Sequence, residues 1–171
     1  MITFITGGGR SGKSRHALEL ARGYEKRAFV ASAVALDAEM QERIAKHRKE
    51  RGDAFSTVEA PIDPAAAIRS LPDEVEVAVL DCLTVWLGNL MHEQKVLEDA
   101  SCDEIDAFLD ILSAPPCDLI VVTNEVGMGI IPDNAMARAF RDLAGSLNQR
   151  VAAKADRVIL MVSGVPVVVK G

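Results

Sequence analysis

A glycine-rich segment near the amino terminus has the spacing of a phosphate-binding loop. Gly7 is followed by four residues and then by Gly12, Lys13 and Ser14, which fits the pattern G-x-x-x-x-G-K-[ST]. Glycines allow positive φ angles, so successive backbone N–H groups can surround an anion. The lysine of this pattern reaches the β- and γ-phosphates, and the hydroxyl binds Mg²⁺. The segment predicts a nucleoside triphosphate site, with a plain turn between a strand and a helix as the alternative.

An acidic residue at the end of an apolar run is a second candidate. Asp81 directly follows "VEVAVL", residues 75–80. In phosphate-loop proteins, an acidic residue at a strand end orients the Mg²⁺ shell. We therefore predict a metal-associated carboxylate at Asp81, beside the phosphate loop. Capping of the next helix is a compatible alternative.

A histidine within a basic segment is the third candidate. The sequence "LDAEMQERIAKHRKERG" places four residues on the apolar stripe of one helix: Leu36, Met40, Ile44 and His47. Lysines and arginines surround His47, and such a cluster disfavours the imidazolium form while it attracts a triphosphate. A neutral imidazole in this setting can attack phosphorus. The spacing alone leaves two interpretations open, a nucleophile and a packed core histidine.

The segment "TNEVGMGIIP", residues 123–132, follows a predicted buried strand and contains Asn124, Glu125 and two glycines. Its place at a strand end, with glycines that permit close backbone approach, makes it a candidate substrate-contacting loop. An ordinary connection between a strand and a helix is the alternative, and the residues alone do not decide between the two.

The elements that would position these residues alternate along the chain. Runs of continuous hydrophobicity predict strands covered on both faces, as in a parallel sheet; they are residues 2–6, 28–33, 75–80, 119–123 and 157–163. A last run at 165–170 predicts an antiparallel edge strand. Helices are predicted from Lys13 to about Arg22, from Asp37 to Arg51, after Asp63, and from Pro132 to near Lys154. We expect one doubly wound α/β domain over residues 1–171, of the RecA-like P-loop NTPase type, with ligands at the carboxyl ends of the strands.

Composition excludes several classes of protein. The chain has 171 residues, of which 49% are hydrophobic, enough for one domain with a substantial core. A net charge of −6 argues against nucleic-acid binding. No apolar run approaches the roughly 18 residues of a membrane span, and no secretory signal pattern is present, so we expect a cytoplasmic protein. Cys82, Cys102 and Cys117 lack C-x-x-C spacing, which favours reduced thiols over disulfides or a zinc site.

Several segments are distinctive in combination: "TGGGRSGKSRHA", "RIAKHRKERG" followed by "TVEAP", "TNEVGMGIIP", "LNQRVAAKAD" and "VSGVPVVVK". With them the chain resembles the bifunctional adenosylcobinamide kinase and adenosylcobinamide-phosphate guanylyltransferase family of cobalamin assembly. The resemblance covers nearly the whole chain and is weakest from about residue 93 to residue 116. A phosphate loop alone would not discriminate, whereas its combination with "RIAKHR" and "NEVGMGIIP" is highly specific.

The resemblance implies a two-step enzyme that uses ATP and GTP as co-substrates with Mg²⁺. The first step phosphorylates the aminopropanol hydroxyl of adenosylcobinamide. The second step places GMP from GTP on that phosphate, which gives adenosylcobinamide-GDP and releases pyrophosphate. A histidine of the family is guanylylated during the second step, and the matching residue is His47. The resemblance also implies a homotrimer.

The site residues that follow fall into four groups. Lys13 and His47 are expected to be catalytic, Ser14 and Asp81 to hold Mg²⁺ partly through water, and Asn124 and Glu125 to contact the substrate. The nucleotide contacts implied by the resemblance are Gly7, Gly8, Gly9, Arg10, Ser11, Gly12, Lys13, Ser14, Ala31, Ser32, Ala33, Arg48, Lys49, Glu50, Arg51, Glu59 and Asp81. Two positions depart from the family pattern: Gly9 stands where many members have alanine, and Asp81 stands where some have glutamate.

Two other functions compete with this interpretation. A small-molecule kinase without the transferase activity would leave His47 merely packed, and a GTP-dependent label on the protein would distinguish the two. A nucleotide-gated binding module would form no phosphorylated corrinoid. Such a module should also carry a dedicated switch segment, and the sequence shows none that we can identify.

Overall fold

A seven-stranded sheet forms the centre of the computed structural model, which describes residues 1–34, 42, 52–93 and 102–171. The strands are β1 (Ile2–Gly7), β2 (Arg27–Ala31), β3 (Ser56–Glu59), β4 (Val77–Asp81), β5 (Asp118–Val122), β6 (Arg157–Val162) and β7 (Val165–Lys170). Their spatial order is β3-β2-β4-β5-β1-β6-β7. All neighbouring pairs are parallel except β6 and β7, which pair antiparallel. The predicted α/β fold, with a mostly parallel sheet and an antiparallel carboxyl-terminal edge strand, is confirmed.

Helices connect the strands. Within the described ranges they are α1 (Lys13–Ala21), α2 (Pro64–Arg69), α3 (Leu83–His92), α4 (Asp103–Ile111) and α5 (Ala135–Lys154). Asp63 and Asn134 begin α2 and α5 with side-chain caps on the N–H groups of Ala66 and Ala137. The predicted helix from Asp37 to Arg51 lies outside the described residues, apart from Glu42. None of the described helices is both long and apolar enough to span a bilayer.

The hydrophobic core lies on both faces of the sheet, which explains the continuous hydrophobicity of the strands. On β1, Phe4 packs into the layer beneath α2, α3, α4 and α5, whereas its neighbour Ile5 packs into the layer beneath α1. Trp86 of α3 is fully buried in the first layer, and its Nε1 donates to the Ile62 carbonyl at 2.7 Å. The two layers hold the carboxyl ends of the parallel strands at one edge of the sheet.

Two elements differ from the sequence expectations. Strand β3 was not among the predicted strands, because its four residues, "STVE", are mostly exposed and lack an apolar run. Strand β2 ends at Ala31 instead of reaching Ala33, because Ser32 turns inward and bonds to the main chain of Cys82.

Candidate active site

The phosphate loop, residues 7–14, leaves the carboxyl end of β1 and enters α1. Its backbone takes positive φ angles at Gly7 (145°), Arg10 (59°) and Gly12 (96°). Gly12 is the residue before α1, and no side chain caps the helix. The first N–H groups of α1 thus keep their hydrogen-bonding capacity for an anion, where the helix dipole also favours negative charge.

Lys13 is buried at the start of α1, with 6% of its surface exposed. Its Nζ donates to the Gly8 carbonyl at 2.6 Å and to Ser11 Oγ at 3.5 Å. The ammonium group therefore lies over the phosphate loop, where it would contact a bound anion. A phosphate oxygen in that site could take the place of the Gly8 carbonyl as its acceptor.

Two residues at the end of β4 and just after it, Asp81 and Cys82, act on the pKa of Lys13. Burial lowers the pKa of Lys13, and Cys82 and Asp81 act in the opposite direction. Burial also raises the pKa of the Cys82 thiol to about 11, so Cys82 is uncharged near neutral pH. Asp81 is then the charged one of these two residues, although β5 separates its strand, β4, from β1.

At Gly7 the phosphate loop packs closely against β6. A Cβ atom at Gly7 would lie 2.5 Å from the carbonyl oxygen of Met161, which belongs to β6. At Gly9, by contrast, an added Cβ would meet nothing within 4 Å. Of these two loop glycines, Gly7 is therefore the one that packing requires.

We expect Gly7→Ala to lower the free energy of unfolding by about 2–3 kcal/mol, because a rigid backbone atom must move to admit the methyl group. Gly9→Ala is the matched control and should change that free energy by less than about 0.5 kcal/mol. Urea unfolding at equilibrium measures both. Equal stability of the two variants would contradict the close approach at Gly7.

Two neighbouring segments brace the phosphate loop through its main chain. The N–H of Glu125, after β5, donates to the Gly7 carbonyl at 3.0 Å, and the N–H of Gly164, between β6 and β7, donates to the Ser11 carbonyl at 2.9 Å. Ser163 and Gly164 form the tight turn of that hairpin with φ angles of 50° and 88°. The "TNEVGMGIIP" and "VSGVPVVVK" segments thus meet at the phosphate loop.

The structure brings Asn124 and Glu125 to the same edge of the sheet as the phosphate loop. The Asn124 N–H donates to Thr84 Oγ1 at 2.7 Å, and the Glu125 carboxylate accepts from the Gly127 N–H at 2.8 Å. Beyond them the segment is open to solvent: Met128 is 80% exposed and Ile130 is 96% exposed. Hydrogen bonds thus hold the base of the 123–132 loop in place, whereas its apolar tip is exposed to solvent.

A second group of predicted nucleotide contacts lies at the ends of β2 and β3, where Ala31 pairs with Glu59. The Ser32 side chain is fully buried; its hydroxyl donates to the Cys82 carbonyl at 2.9 Å and accepts from the Cys82 N–H at 2.8 Å. Ser32 therefore joins the ends of β2 and β4 with its side chain. Three strand spacings separate β2 from β1, about 14 Å in total.

Five of the predicted site residues lie outside the described part of the chain: His47, Arg48, Lys49, Glu50 and Arg51. Their roles stay predictions. The described residues before them end at Val34, after the carboxyl end of β2. The described chain thus reaches Val34 at the sheet edge that holds the phosphate loop.

Sequence reasoning did not single out three polar residues near the site. Thr84 bonds to Asn124, Asn148 bonds to Thr123 and Asn124, and Asn89 Nδ2 donates to the Ser32 and Pro61 carbonyls at 2.8 Å and 2.9 Å. Thr84 and Asn89 could have been noticed as polar residues in the apolar sequence "LTVWLGNLM" of α3. Asn148 gave no such signal, because α5 has a mixed sequence around it.

The described residues contain no group of three or more His, Cys, Asp or Glu side chains that could hold a metal ion. The donors at the phosphate loop are instead the Ser14 hydroxyl on α1 and the Asp81 carboxylate at the end of β4. This small oxygen set suits Mg²⁺, which keeps several waters and takes its remaining ligands from substrate phosphates.

Residues 3–169 match the family described as "Cobinamide kinase / cobinamide phosphate guanyltransferase". The "Bifunctional adenosylcobalamin biosynthesis protein CobU" of Escherichia coli (strain K12) is 38% identical over 181 residues, which cover 99% of this chain and 100% of that protein. The protein of the same name from Salmonella typhimurium is also 38% identical, over 183 residues and the same shares. The "Bifunctional adenosylcobalamin biosynthesis protein CobP" of Pseudomonas aeruginosa is 38% identical over 174 residues, 100% of this chain and 98% of that protein.

Proposed function

Because the chain belongs to the cobinamide kinase / cobinamide phosphate guanyltransferase family, we propose that it makes adenosylcobinamide-GDP in two steps through a guanylylated His47. A nucleoside triphosphate first phosphorylates adenosylcobinamide, and GTP then donates GMP to the new phosphate. The observation that carries this proposal is the phosphate loop, which leads into a helix without a side-chain cap. Lys13 is buried at the start of that helix, and the charge of Asp81 acts on it.

In the kinase step, the hydroxyl oxygen of adenosylcobinamide attacks the γ-phosphorus, and the bond between the β- and γ-phosphates breaks. Lys13 and the first-turn N–H groups of α1 oppose the negative charge that moves toward the leaving β-phosphate. The side chains of Asn124 and Glu125 contact the acceptor. Their place beside Gly7, through the hydrogen bond from the Glu125 N–H, supports this role.

In the transfer step, a ring nitrogen of His47 attacks the α-phosphorus of GTP, and pyrophosphate leaves from the opposite side. The phosphate of adenosylcobinamide phosphate then attacks the phosphoramidate and releases the histidine. The proposal is supported by the position of Val34, which follows the carboxyl end of β2 at the edge where the nucleotide would bind. Residues 31–33, Glu59 and residues 48–51 would contact that nucleotide.

Ser14 and Asp81 would hold Mg²⁺, partly through water. When bound, the ion supplies positive charge that screens the phosphate oxygens. The short Asp81 side chain suits a carboxylate that is held near the ion through a water molecule. Asp81 acts on Lys13 in turn, since its negative charge raises the pKa of Lys13 against the effect of burial.

We also propose that the protein works as a cytoplasmic homotrimer. The resemblance to the family implies the trimer, and β7 offers a surface for a second copy, because Val165, Val167, Val168 and Val169 are each at least 45% exposed on this edge strand. An open apolar edge strand invites pairing with another chain. Light scattering tests the trimer, and a monomeric mass would contradict it.

The guanylylated protein is the decisive intermediate. The purified protein is incubated with Mg²⁺ and GTP labelled at the α-phosphate, then denatured and exposed to acid or alkali. We expect an acid-labile, alkali-stable label, as for a histidine phosphoramidate. GTP labelled at the γ-phosphate is the control and should leave the protein unlabelled, because that phosphate departs in pyrophosphate.

The same protein with adenosylcobinamide and a γ-labelled nucleotide should form a labelled corrinoid. A labelled corrinoid without any label on the protein would leave a kinase and contradict the covalent transfer step. Nucleotide hydrolysis without a phosphorylated corrinoid would contradict both steps.

A further inference from the structure

A closed ring of hydrogen bonds lies beneath the 123–132 loop. We name its three side chains, Thr84 of α3, Thr123 after β5 and Asn148 of α5, the polar cluster. Thr123 Oγ1 donates to Asn148 Oδ1 at 2.9 Å, and Asn148 Nδ2 donates to the Asn124 carbonyl at 3.3 Å. The Asn124 N–H donates to Thr84 Oγ1 at 2.7 Å, and Thr84 Oγ1 lies 3.3 Å from Thr123 Oγ1.

The donor directions in this ring are mutually consistent. Each threonine hydroxyl has a single proton. Thr123 uses its proton on Asn148, so the proton between the two threonines comes from Thr84. Thr84 can therefore accept from the Asn124 N–H while it donates to Thr123. The polar cluster thus binds both the N–H and the carbonyl of Asn124.

The polar cluster is embedded in the apolar layer beneath α3 and α5. Thr123 is 1% exposed and Asn148 is 8% exposed, whereas Thr84 is half-buried. Leu147, the residue before Asn148, belongs to this core layer. A buried polar group costs free energy unless it is hydrogen-bonded. Apolar residues in this place would avoid the free-energy cost of burying polar groups. The ring therefore points to a requirement for one fixed orientation of Asn124.

From this geometry we infer that the polar cluster is a positioning device for the acceptor side of the site: it fixes Asn124 and, through the chain, Glu125 against adenosylcobinamide. The inference rests on the proposed function. The Glu125 N–H also bonds to the Gly7 carbonyl, but the phosphate loop keeps two further supports that do not involve residues 123–132, from Lys13 to Gly8 and from Gly164 to Ser11. Loss of the polar cluster should therefore impair acceptor use far more than GTP use.

Thr84→Val removes the hydroxyl with little change in shape, which opens the ring and leaves the Asn124 N–H without its acceptor. We expect kcat/KM for adenosylcobinamide phosphorylation to fall about tenfold, mainly through a higher KM for the corrinoid. Guanylylation of the protein by α-labelled GTP needs no corrinoid and should stay within about twofold of the wild type. Thr84→Ser keeps the hydroxyl and should restore the KM for the corrinoid.

Asn148→Asp provides a second test through another element. The carboxylate still accepts from Thr123 but cannot donate to the Asn124 carbonyl. It should raise the same KM, and the double variant with Thr84→Val should lose less than the product of the two single losses, since both act on Asn124. Gln149→Ala, at the exposed neighbouring position of α5, is the control and should behave as the wild type.

Equal losses of corrinoid phosphorylation and of protein guanylylation in Thr84→Val would overturn the inference, because the polar cluster would then support the whole site or the fold. Unchanged kinetics in Thr84→Val would overturn it as well. A wild-type protein that phosphorylates no corrinoid would contradict the proposed function itself, whatever the variants do.

Discussion

Lys13→Ala is expected to lower the rates of adenosylcobinamide phosphorylation and of protein guanylylation by about 100-fold or more each. The Lys13 ammonium is buried, lies over the phosphate loop and has Asp81 as its nearby anion. Alanine removes the positive charge that opposes phosphate charge in both reactions and leaves the loop backbone to bind the nucleotide alone. Initial rates of the two reactions, with labelled nucleotides, measure the effect.

Lys26→Ala is the matched control for the loss of a positive charge. Lys26 is exposed and directly precedes β2, at the sheet edge opposite the phosphate loop, so its replacement should leave both rates within about twofold. Thermal unfolding of Lys13→Ala shows whether the fold survives. Normal turnover in a folded Lys13→Ala variant would remove the phosphate loop from the mechanism.

The strands were predictable where the chain is covered on both faces. The runs that became β1, β4, β5 and β6 are continuous because alternate side chains enter the two core layers, as Phe4 and Ile5 do. The exposed edge strand β3 gave no such signal. The single domain over residues 1–171 stays a prediction.

Strand order was not predictable from local sequence, because long-range packing decides it. Asp81 was expected beside the phosphate loop, whereas β5 lies between its strand and β1, and Asp81 acts on the pKa of Lys13 from there. The order follows from pairings between strands that are distant in sequence, such as β1 with β5 and with β6. No run of neighbouring residues encodes these pairings.

The site was predictable to the extent that its spacing is local. The phosphate loop needs eight consecutive residues, 7–14, and their types define its geometry. The polar cluster joins residues 40 positions apart at Thr84 and Asn124, and 24 positions apart at Asn124 and Asn148. A threonine or an asparagine in an apolar helix has several uses, so only the fold reveals the ring that joins them.

His47→Asn is expected to separate the two activities. Asparagine has no ring nitrogen to attack the α-phosphorus, so guanylylation of the protein and formation of adenosylcobinamide-GDP should fall by about 1,000-fold or more. The kinase step passes through no covalent histidine, so corrinoid phosphorylation should stay within about threefold of the wild type. The assay follows α-labelled GTP onto the protein and a γ-labelled nucleotide onto the corrinoid in parallel samples.

His92→Asn is the matched control, because His92 is exposed at the end of α3 and has no part in the proposed chemistry. It should retain both labels. Loss of both activities to the same extent in a folded His47→Asn protein would contradict separate roles for the two steps, since a histidine that acts only in transfer cannot stop the kinase. Retention of the protein label in His47→Asn would place the covalent GMP on another residue. Loss of the protein label alone is the result that a histidine specific to guanylyl transfer requires.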